Sequence, residues 1–431
     1  MKQEKERSKI TEPIHIALPE NVASIINSLR AHGFEAYAVG GCVRDSVLGR
    51  VPGDWDITTS ALPQEVKQVF RKTVDTGIEH GTVTVLLRGK TDELNGYEVT
   101  TYRIDGDYAD GRHPDSVAFT PSLEEDLKRR DFTINAMAYN EEAGLVDRFG
   151  GMEDLKKKII RCVGDPDARF SEDALRILRA LRFAAQLDFC IDRPTEDAIG
   201  RHIKNLGNVS RERIQAELSK LLCSAHPERV EDIFRLHMQE HICQKFPLAN
   251  AGIFSEIKME GFSVLPTERK YLRYAELAAG MREVDAAALL RELKLDNDTV
   301  KKAVLLSTRL LQPVAPEKYA VKKAMQGMTP ELFGELLSLK KRFKDAALYR
   351  TACATEDAGA LEALFTEILR KDEPVYLSDL VVKGSDLIAA GIAPGPQMGR
   401  ILEEMLDDVQ REPVHNSILY LLSQHVVRRA E

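Results

Sequence analysis

Two aspartates one residue apart, Asp54 and Asp56 in GDWDITTSA, are the first side chains in the sequence whose type and spacing could do chemistry. On a strand, residues two apart point to the same face, so both carboxylates can reach one point in space. They repel each other unless a cation lies between them, and the hard ion Mg²⁺ prefers oxygen ligands. Gly53 before the pair and Trp55 within it fit a strand that starts at a turn and anchors its other face in the core. Glu98, in the alternating run YEVTTYR, offers a third carboxylate from a neighbouring strand. Such a cluster can hold two Mg²⁺ ions that activate an attacking hydroxyl and stabilise a leaving oxygen in phosphoryl transfer. An isolated Asp-x-Asp more often decorates an exposed strand, so the preceding segment decides. AVGGCVRD (38–45) reads as a strand, two glycines and a helix starting near Cys42. The glycines, Gly41 among them, let backbone N–H groups approach phosphates, and Arg44 can add a charge-assisted contact.

A second constellation could read a base. Asp173 and Arg176 stand three apart in RFSEDALRILRALRF, whose spacing predicts one long helix, so they share a face. Cytosine and adenine both present an exocyclic amine beside a ring-nitrogen acceptor. A carboxylate accepts from that amine while a guanidinium donates to that nitrogen. Uracil and guanine reverse the pattern, and leaving the groups unpaired in a dry site costs about several kcal/mol. The plain alternative is an ion pair on a solvated helix. Yet Arg176, Arg179 and Arg182 recur every three residues among Leu178, Ala180 and Leu181, which suggests a charged rim beside a buried face. Arg129, Arg130 and Asp131 open RRDFTINAMA, whose apolar positions predict a packed helix with a basic pair at its start. In ERIQAEL (212–218), Ser210 is a credible N-cap, and the spacing of Arg213 and Glu217 predicts structural support rather than catalysis.

Two regimes must position these groups. Up to about Asp147, β-rich runs such as FEAYAV (34–39), GTVTVLL (81–87) and GYEVTTY (96–102) alternate with turns and short helices. Beyond Asp165 the spacing is helical almost throughout. The 431 residues suffice for several cores, and 43% hydrophobic with 30% charged residues is an ordinary globular composition. A net charge of −8 excludes a globally basic nucleic-acid coat, so a polyanionic partner must meet local patches. The N-terminus is polar, and no stretch has the apolar length of a membrane span. Six scattered cysteines without a Cys-x-x-Cys pair do not form a disulfide framework, and the expected compartment is the cytoplasm.

The order GGCVRD, GDWDI, RRDFTINAMA, EDALR (172–176) and ERIQAE (212–217) resembles the class II tRNA nucleotidyltransferases, the bacterial CCA-adding enzymes. The likeness is dense over about residues 34–220 and resumes at GSDLIAAGIAPGPQMGRIL (384–402). It implies an α+β chain with a polymerase-β-like head over 1–148, then an all-helical neck (149–220), body (221–328) and tail (329–431), the tail binding tRNA. It further implies that Asp54 and Asp56 bind the catalytic metals, here Mg²⁺, that Glu98 assists, and that Gly41 and Arg44 contact the triphosphate. Arg130 would meet the nucleotide, Asp173 and Arg176 would select CTP and ATP, and Arg179 and Arg182 would contact phosphate or ribose. The Asp-, Gly- and Pro-rich stretch between Arg103 and Ser122, with Asp105, Asp110 and Arg112, corresponds to a loop that helps switch specificity from C to A. Its presence favours addition of all three nucleotides. Alternatives are A-only or CC-only addition, a poly(A) polymerase, or a non-catalytic RNA-binding relative; either a monomer or a homodimer fits.

Two further motifs compete for attention. HMQEH (237–241) matches an inverted zinc-protease pattern, but no downstream ligand completes it, and histidines near a helix end explain it. KKRFK (340–344) reads as a solvated face or a phosphate patch.

Overall fold

The computed structural model describes residues 14–89, 93–105, 117–243, 246, 253–257 and 264–426. Asp110 and Arg112 lie outside them. The chain divides into two compact units, Met1–Gln244 and Lys245–Glu431.

The first unit opens with helix α1 (Glu20–Ala31), which buries Val22, Ile25, Ile26 and Leu29, one face at helical spacing. There follow β1 (Ala36–Val39), α2 (Gly41–Val47), β2 (Ile57–Thr59), α3 (Pro63–Val69), β3 (Thr73–Gly77), β4 (Thr82–Arg88) and β5 (Leu94–Thr101). A small antiparallel pair, β6 (Arg103–Asp105) and β7 (Val117–Phe119), occupies the two ends of the stretch expected to be loop. After α4 (Leu123–Lys128), the strands β8 (Met137–Asn140) and β9 (Gly144–Asp147) complete a seven-stranded sheet of order β3-β4-β5-β2-β1-β8-β9. The sheet is mixed: β2 runs parallel to β5, with Ile57 opposite Val99, and the other neighbours are antiparallel. Its core includes Val39, Ala136, Ala138 and Leu127.

Helices then take over: α5 (Gly151–Lys157), α6 (Pro166–Glu172), α7 (Leu175–Leu187), α8 (Arg193–His202) and α9 (Arg211–Leu222). A short parallel pair, β10 (Ile159–Ile160) and β11 (Cys190–Ile191), ties their two ends together. The α+β class expected from the sequence is what the chain adopts.

Several local expectations are corrected. RRDFTINAMA is not a helix: Phe132 bridges Cys162, Thr133–Asn135 make one 3₁₀ turn, and β8 follows. Every residue from Asp131 to Asn140 is buried, so apolar residues fall on both faces of the strand and imitate helical spacing. The long helix over 169–183 is broken at Asp173, whose φ of −146° and ψ of 102° are extended. Asp54 and Asp56 precede β2 rather than lying on it, and Trp55 is half-buried instead of anchored in the core. Ser210 stands at the N-cap of α9, but its hydroxyl makes no capping bond.

The second unit is helical throughout its described residues. Its interior contains ion pairs as well as apolar groups. The fully buried Lys340 ammonium donates to the carbonyls of Leu310 and Gln312 and to Glu356, while Arg342 pairs with Glu276 at 2.7 Å. KKRFK is therefore not an open phosphate patch, since two of its four bases are sealed inside. Toward the C-terminus, Leu380, Leu387, Ile401, Met405, Val409 and Leu421 form a separate apolar cluster. Among the described residues, no helix is long and apolar enough to cross a membrane.

Candidate active site

The sheet sets the carboxylates. Because Ile57 pairs with Val99 in parallel register, the residue before each brings Asp56 beside Glu98. Val39 N–H donates to the Asp56 carbonyl at 3.0 Å, so the backbone there stays tied to β1 although the ladder of β2 begins one residue later. Asp54, Asp56 and Glu98 line one cleft of about 650 Å³ with Trp55 and Tyr97. Asp56 is exposed to the cleft, but desolvation by the protein around it pushes its carboxyl up, and the negative Asp54 adds to that against the pull of Arg130.

No group of three His, Cys, Asp or Glu side chains among the described residues stands close enough to hold a metal by itself. The aspartate pair fits a divalent cation, because two hard carboxylate donors at one cleft repel each other unless a cation lies between them. Two protein carboxylates leave most of the coordination sphere to substrate phosphates and water.

Asp56 also lines a second cleft, of about 440 Å³, whose walls include Gly41, Arg44, Arg130, Asp173, Arg176, Arg179 and Arg182. All the residues expected to bind nucleotide thus surround one space, and Asp56 joins it to the acidic cleft. Gly40, one residue from the expected Gly41, has φ +82°, and a Cβ there would sit 3.1 Å from Arg130 Nη1. Gly40→Ala is therefore expected to strain the turn and displace Arg130. We expect a severalfold rise in nucleotide KM, read by steady-state kinetics, beside a melting-temperature loss equivalent to about 1–2 kcal/mol.

Each arginine is held by a partner that the sequence did not reveal. Arg44 grips Asp45 through Nε and Nη2, both at 2.9 Å, and donates from Nη1 to Asn135 at 2.7 Å. The buried Asp126 receives Arg129 at 2.7 Å, Arg130 at 3.3 Å and the Thr58 hydroxyl at 3.2 Å. Burial opposes its ionisation, but Arg130 and Arg129 outweigh it and hold the carboxyl below the usual range. Asp131 accepts Arg179 at 2.6 and 2.8 Å and Asn135 at 3.1 Å; these outweigh complete burial and hold it far below the usual carboxylate range.

The pair expected to read the base, Asp173 and Arg176, is arranged differently from the shared helix face that the sequence suggested. Asp173 sits at the α6–α7 break, where its carboxylate accepts Leu175 N–H at 3.0 Å and both Nη groups of Arg213, at 3.2 and 2.7 Å. Arg176 is anchored by Glu172 and by the carbonyls of Arg169 and Arg129, both at 3.1 Å. Arg213 and Glu217 bond away from each other, Arg213 to Asp173 at the α6–α7 break and Glu217 to α7, rather than along their own helix. Glu217 meets Arg182 Nε at 2.6 Å and Arg179 Nη1 at 3.7 Å. Their i,i+4 spacing marked the pair without revealing its partners. In HMQEH, His237 occupies a turn with φ +56° before the helix Gln239–Ile242, so the two histidines do not share a helix face.

Three family models match the chain. A "Poly A polymerase head domain" covers residues 36–161, a "Probable RNA and SrmB- binding site of polymerase A" covers 188–247, and "tRNA nucleotidyltransferase domain 2 putative" covers 267–424. The chain is 36% identical over 413 residues to a CCA-adding enzyme of Limosilactobacillus reuteri, across 95% of this chain and 96% of that one. It is 37% identical over 388 residues to that of Ligilactobacillus salivarius, across 89% and 90%. Among solved structures, it is similar to the Bacillus stearothermophilus CCA-adding enzyme in complex with CTP. There the TM-score is 0.79 and the identity 32%, over 95% of this chain and 98% of that one.

Proposed function

The chain belongs to the class II tRNA nucleotidyltransferases, the bacterial CCA-adding enzymes, and from that premise we propose how its own residues perform template-free addition. CMP, CMP and AMP are transferred in turn from CTP and ATP to the 3′ end of tRNA, with release of pyrophosphate. The observation that carries this reading is the double position of Asp56, which walls both the acidic cleft and the arginine-lined cleft containing Asp173 and Arg176.

Asp54 and Asp56 would hold the divalent metal, and their oxygen donors together with the reliance on substrate phosphates favour Mg²⁺. When bound, it supplies charge neutralisation at the reacting phosphate and makes the 3′-hydroxyl a better nucleophile. Glu98 assists from the same cleft. The 3′ hydroxyl gives up its proton to solvent and its oxygen bonds to the α-phosphorus as the bond to the bridging oxygen breaks and pyrophosphate leaves, so most of the acceleration comes from positioning and electrostatics. Gly41 and Arg44 engage the triphosphate, Arg130 meets the nucleotide, and Arg179 and Arg182 reach phosphate or ribose. Asp173 accepts from the exocyclic amine of C or A, and Arg176 donates to the adjacent ring nitrogen. This chemistry favours CTP and ATP over UTP and GTP.

We divide the chain as head (1–148), neck (149–220), body (221–328) and tail (329–431), with the tail holding tRNA. The enzyme would work in the cytoplasm. The test incubates the protein with tRNA lacking its CCA end, Mg²⁺ and each nucleotide singly or mixed. CTP with ATP should give three additions and then stop. Indefinite A addition would indicate a poly(A) polymerase, and stopping after CC, or adding only A to tRNA ending in CC, would indicate a partial enzyme.

A further inference from the structure

The arginine-lined cleft contains a group that the reaction chemistry does not call for. Phe183, on α7 and 4% exposed, lines it together with the arginines. Three guanidiniums surround its ring: Arg182 lies 3.9 Å from the centroid, Arg44 4.9 Å and Arg179 5.5 Å. Phe132 packs against the same ring edge-on, with centroids 5.8 Å apart and planes at 82°. These three cations come from two helices, α2 and α7, and crowd into a buried space where like charges repel. Burial pushes the Arg182 guanidinium down to about 10, and Arg179 and Arg44 add to that against the pull of Glu217.

A cleft meant for a triphosphate faces a conflict that carboxylates alone do not resolve. Each acid that steadies an arginine also cancels part of the positive field that draws the ligand. An aromatic face attracts cations through its quadrupole while carrying no net charge and using no hydrogen-bond donor. An aliphatic side chain of similar bulk would fill the space but offer no such attraction.

We propose that Phe183 is a positioning residue for the nucleotide, its ring holding Arg44 and Arg182 aimed into the cleft with their charge intact. This rests on the reading that Arg44 meets the triphosphate and that Arg182 reaches phosphate or ribose. The alternative is that Phe183 only packs against Phe132.

Fluorination separates the two roles, because it drains the ring's negative face while barely changing its shape. Mono-, di- and trifluorophenylalanine would be placed at position 183 of the full chain by nonsense suppression. The KM for both CTP and ATP should rise stepwise, by about tenfold overall, with kcat changing less than about twofold. Inhibition by inorganic tripolyphosphate should weaken in parallel, while the melting temperature stays constant along the series. Phe183→Leu should reproduce the trifluoro KM. A flat KM along the fluorinated series, where Arg44→Ala and Arg182→Ala raise it, would overturn the role given to Phe183 alone. If neither arginine variant changes the nucleotide KM, the triphosphate reading fails and the proposal falls with it.

Discussion

Asp56→Asn is expected to reduce nucleotide transfer by about a thousandfold or more while raising the melting temperature of the metal-free protein. The two effects share one cause. Desolvation at the cleft wall and the neighbouring Asp54 push the exposed Asp56 carboxyl up, so the folded state binds its proton somewhat more tightly than the unfolded chain does. Such a group favours folding at pH values below its unfolded pKa, and that contribution disappears as the pH climbs through the folded value. At neutral pH the ionised carboxylate is a cost, which asparagine removes along with a metal ligand. Affinity for tRNA, measured by filter binding, should change by less than about twofold, because the cleft contributes little to phosphate contacts along a long RNA. In the unmodified enzyme, the acid limb of the rate profile should lie above the ordinary aspartate range of about 4. Raising the Mg²⁺ concentration should move that limb toward lower pH, since metal and proton compete for one carboxylate. Retained transfer in Asp56→Asn would end the metal assignment. A lower melting temperature would mean that the carboxylate is stabilised in the folded state after all.

How legible this site was depended on whether the controlling interaction was local. The alternation in 81–87 and 96–102 gave β4 and β5 because one face of each strand is covered, and a period of two is then written into the residues. RRDFTINAMA carried no such period, since β8 is covered on both sides. The break at Asp173 was hidden for another reason. Residues on either side of it keep helical spacing, and the interruption consists of one carboxylate bonded to Leu175 N–H and Arg213. Charge runs were the least informative. KKRFK has the composition of a solvated face, but Glu356 and the more distant Glu276, both outside the run, draw Lys340 and Arg342 inside. The residues that line the two clefts were readable; the acids and the aromatic ring packed against the arginines were not. Nothing local distinguishes a ring that only packs from one that, like Phe183, faces three cations.

Asp173→Ala is expected to lower the preference for CTP and ATP over UTP and GTP by about a hundredfold, with a smaller loss of overall rate. A site that accepts a hydrogen bond from the base's amine rejects an analogue presenting a carbonyl, because two acceptors then face each other in a dry cleft. The clamp from Arg213 does not exhaust Asp173. Two carboxylate oxygens offer about four lone-pair sites, so Arg213, Leu175 N–H and an incoming amine can be accommodated together. What Arg213 supplies is direction, with Nη1 and Nη2 fixing the carboxylate plane from α9. Arg213→Ala should therefore leave the acceptor chemistry present but loosely aimed, giving a selectivity between those of Asp173→Ala and the unmodified enzyme, together with a higher nucleotide KM. Asp173→Asn should behave differently from both. Its amide can turn an N–H toward the carbonyl of uracil, so UTP incorporation should rise in absolute terms rather than only relative to CTP. Measuring kcat/KM for all four nucleotides on tRNA lacking its CCA end distinguishes these cases. A uniform drop across the four in Asp173→Asn would show that the carboxylate merely holds the α6–α7 break together. Selection would then have to rest on Arg176, whose guanidinium Glu172 and two backbone carbonyls hold in place independently of Asp173.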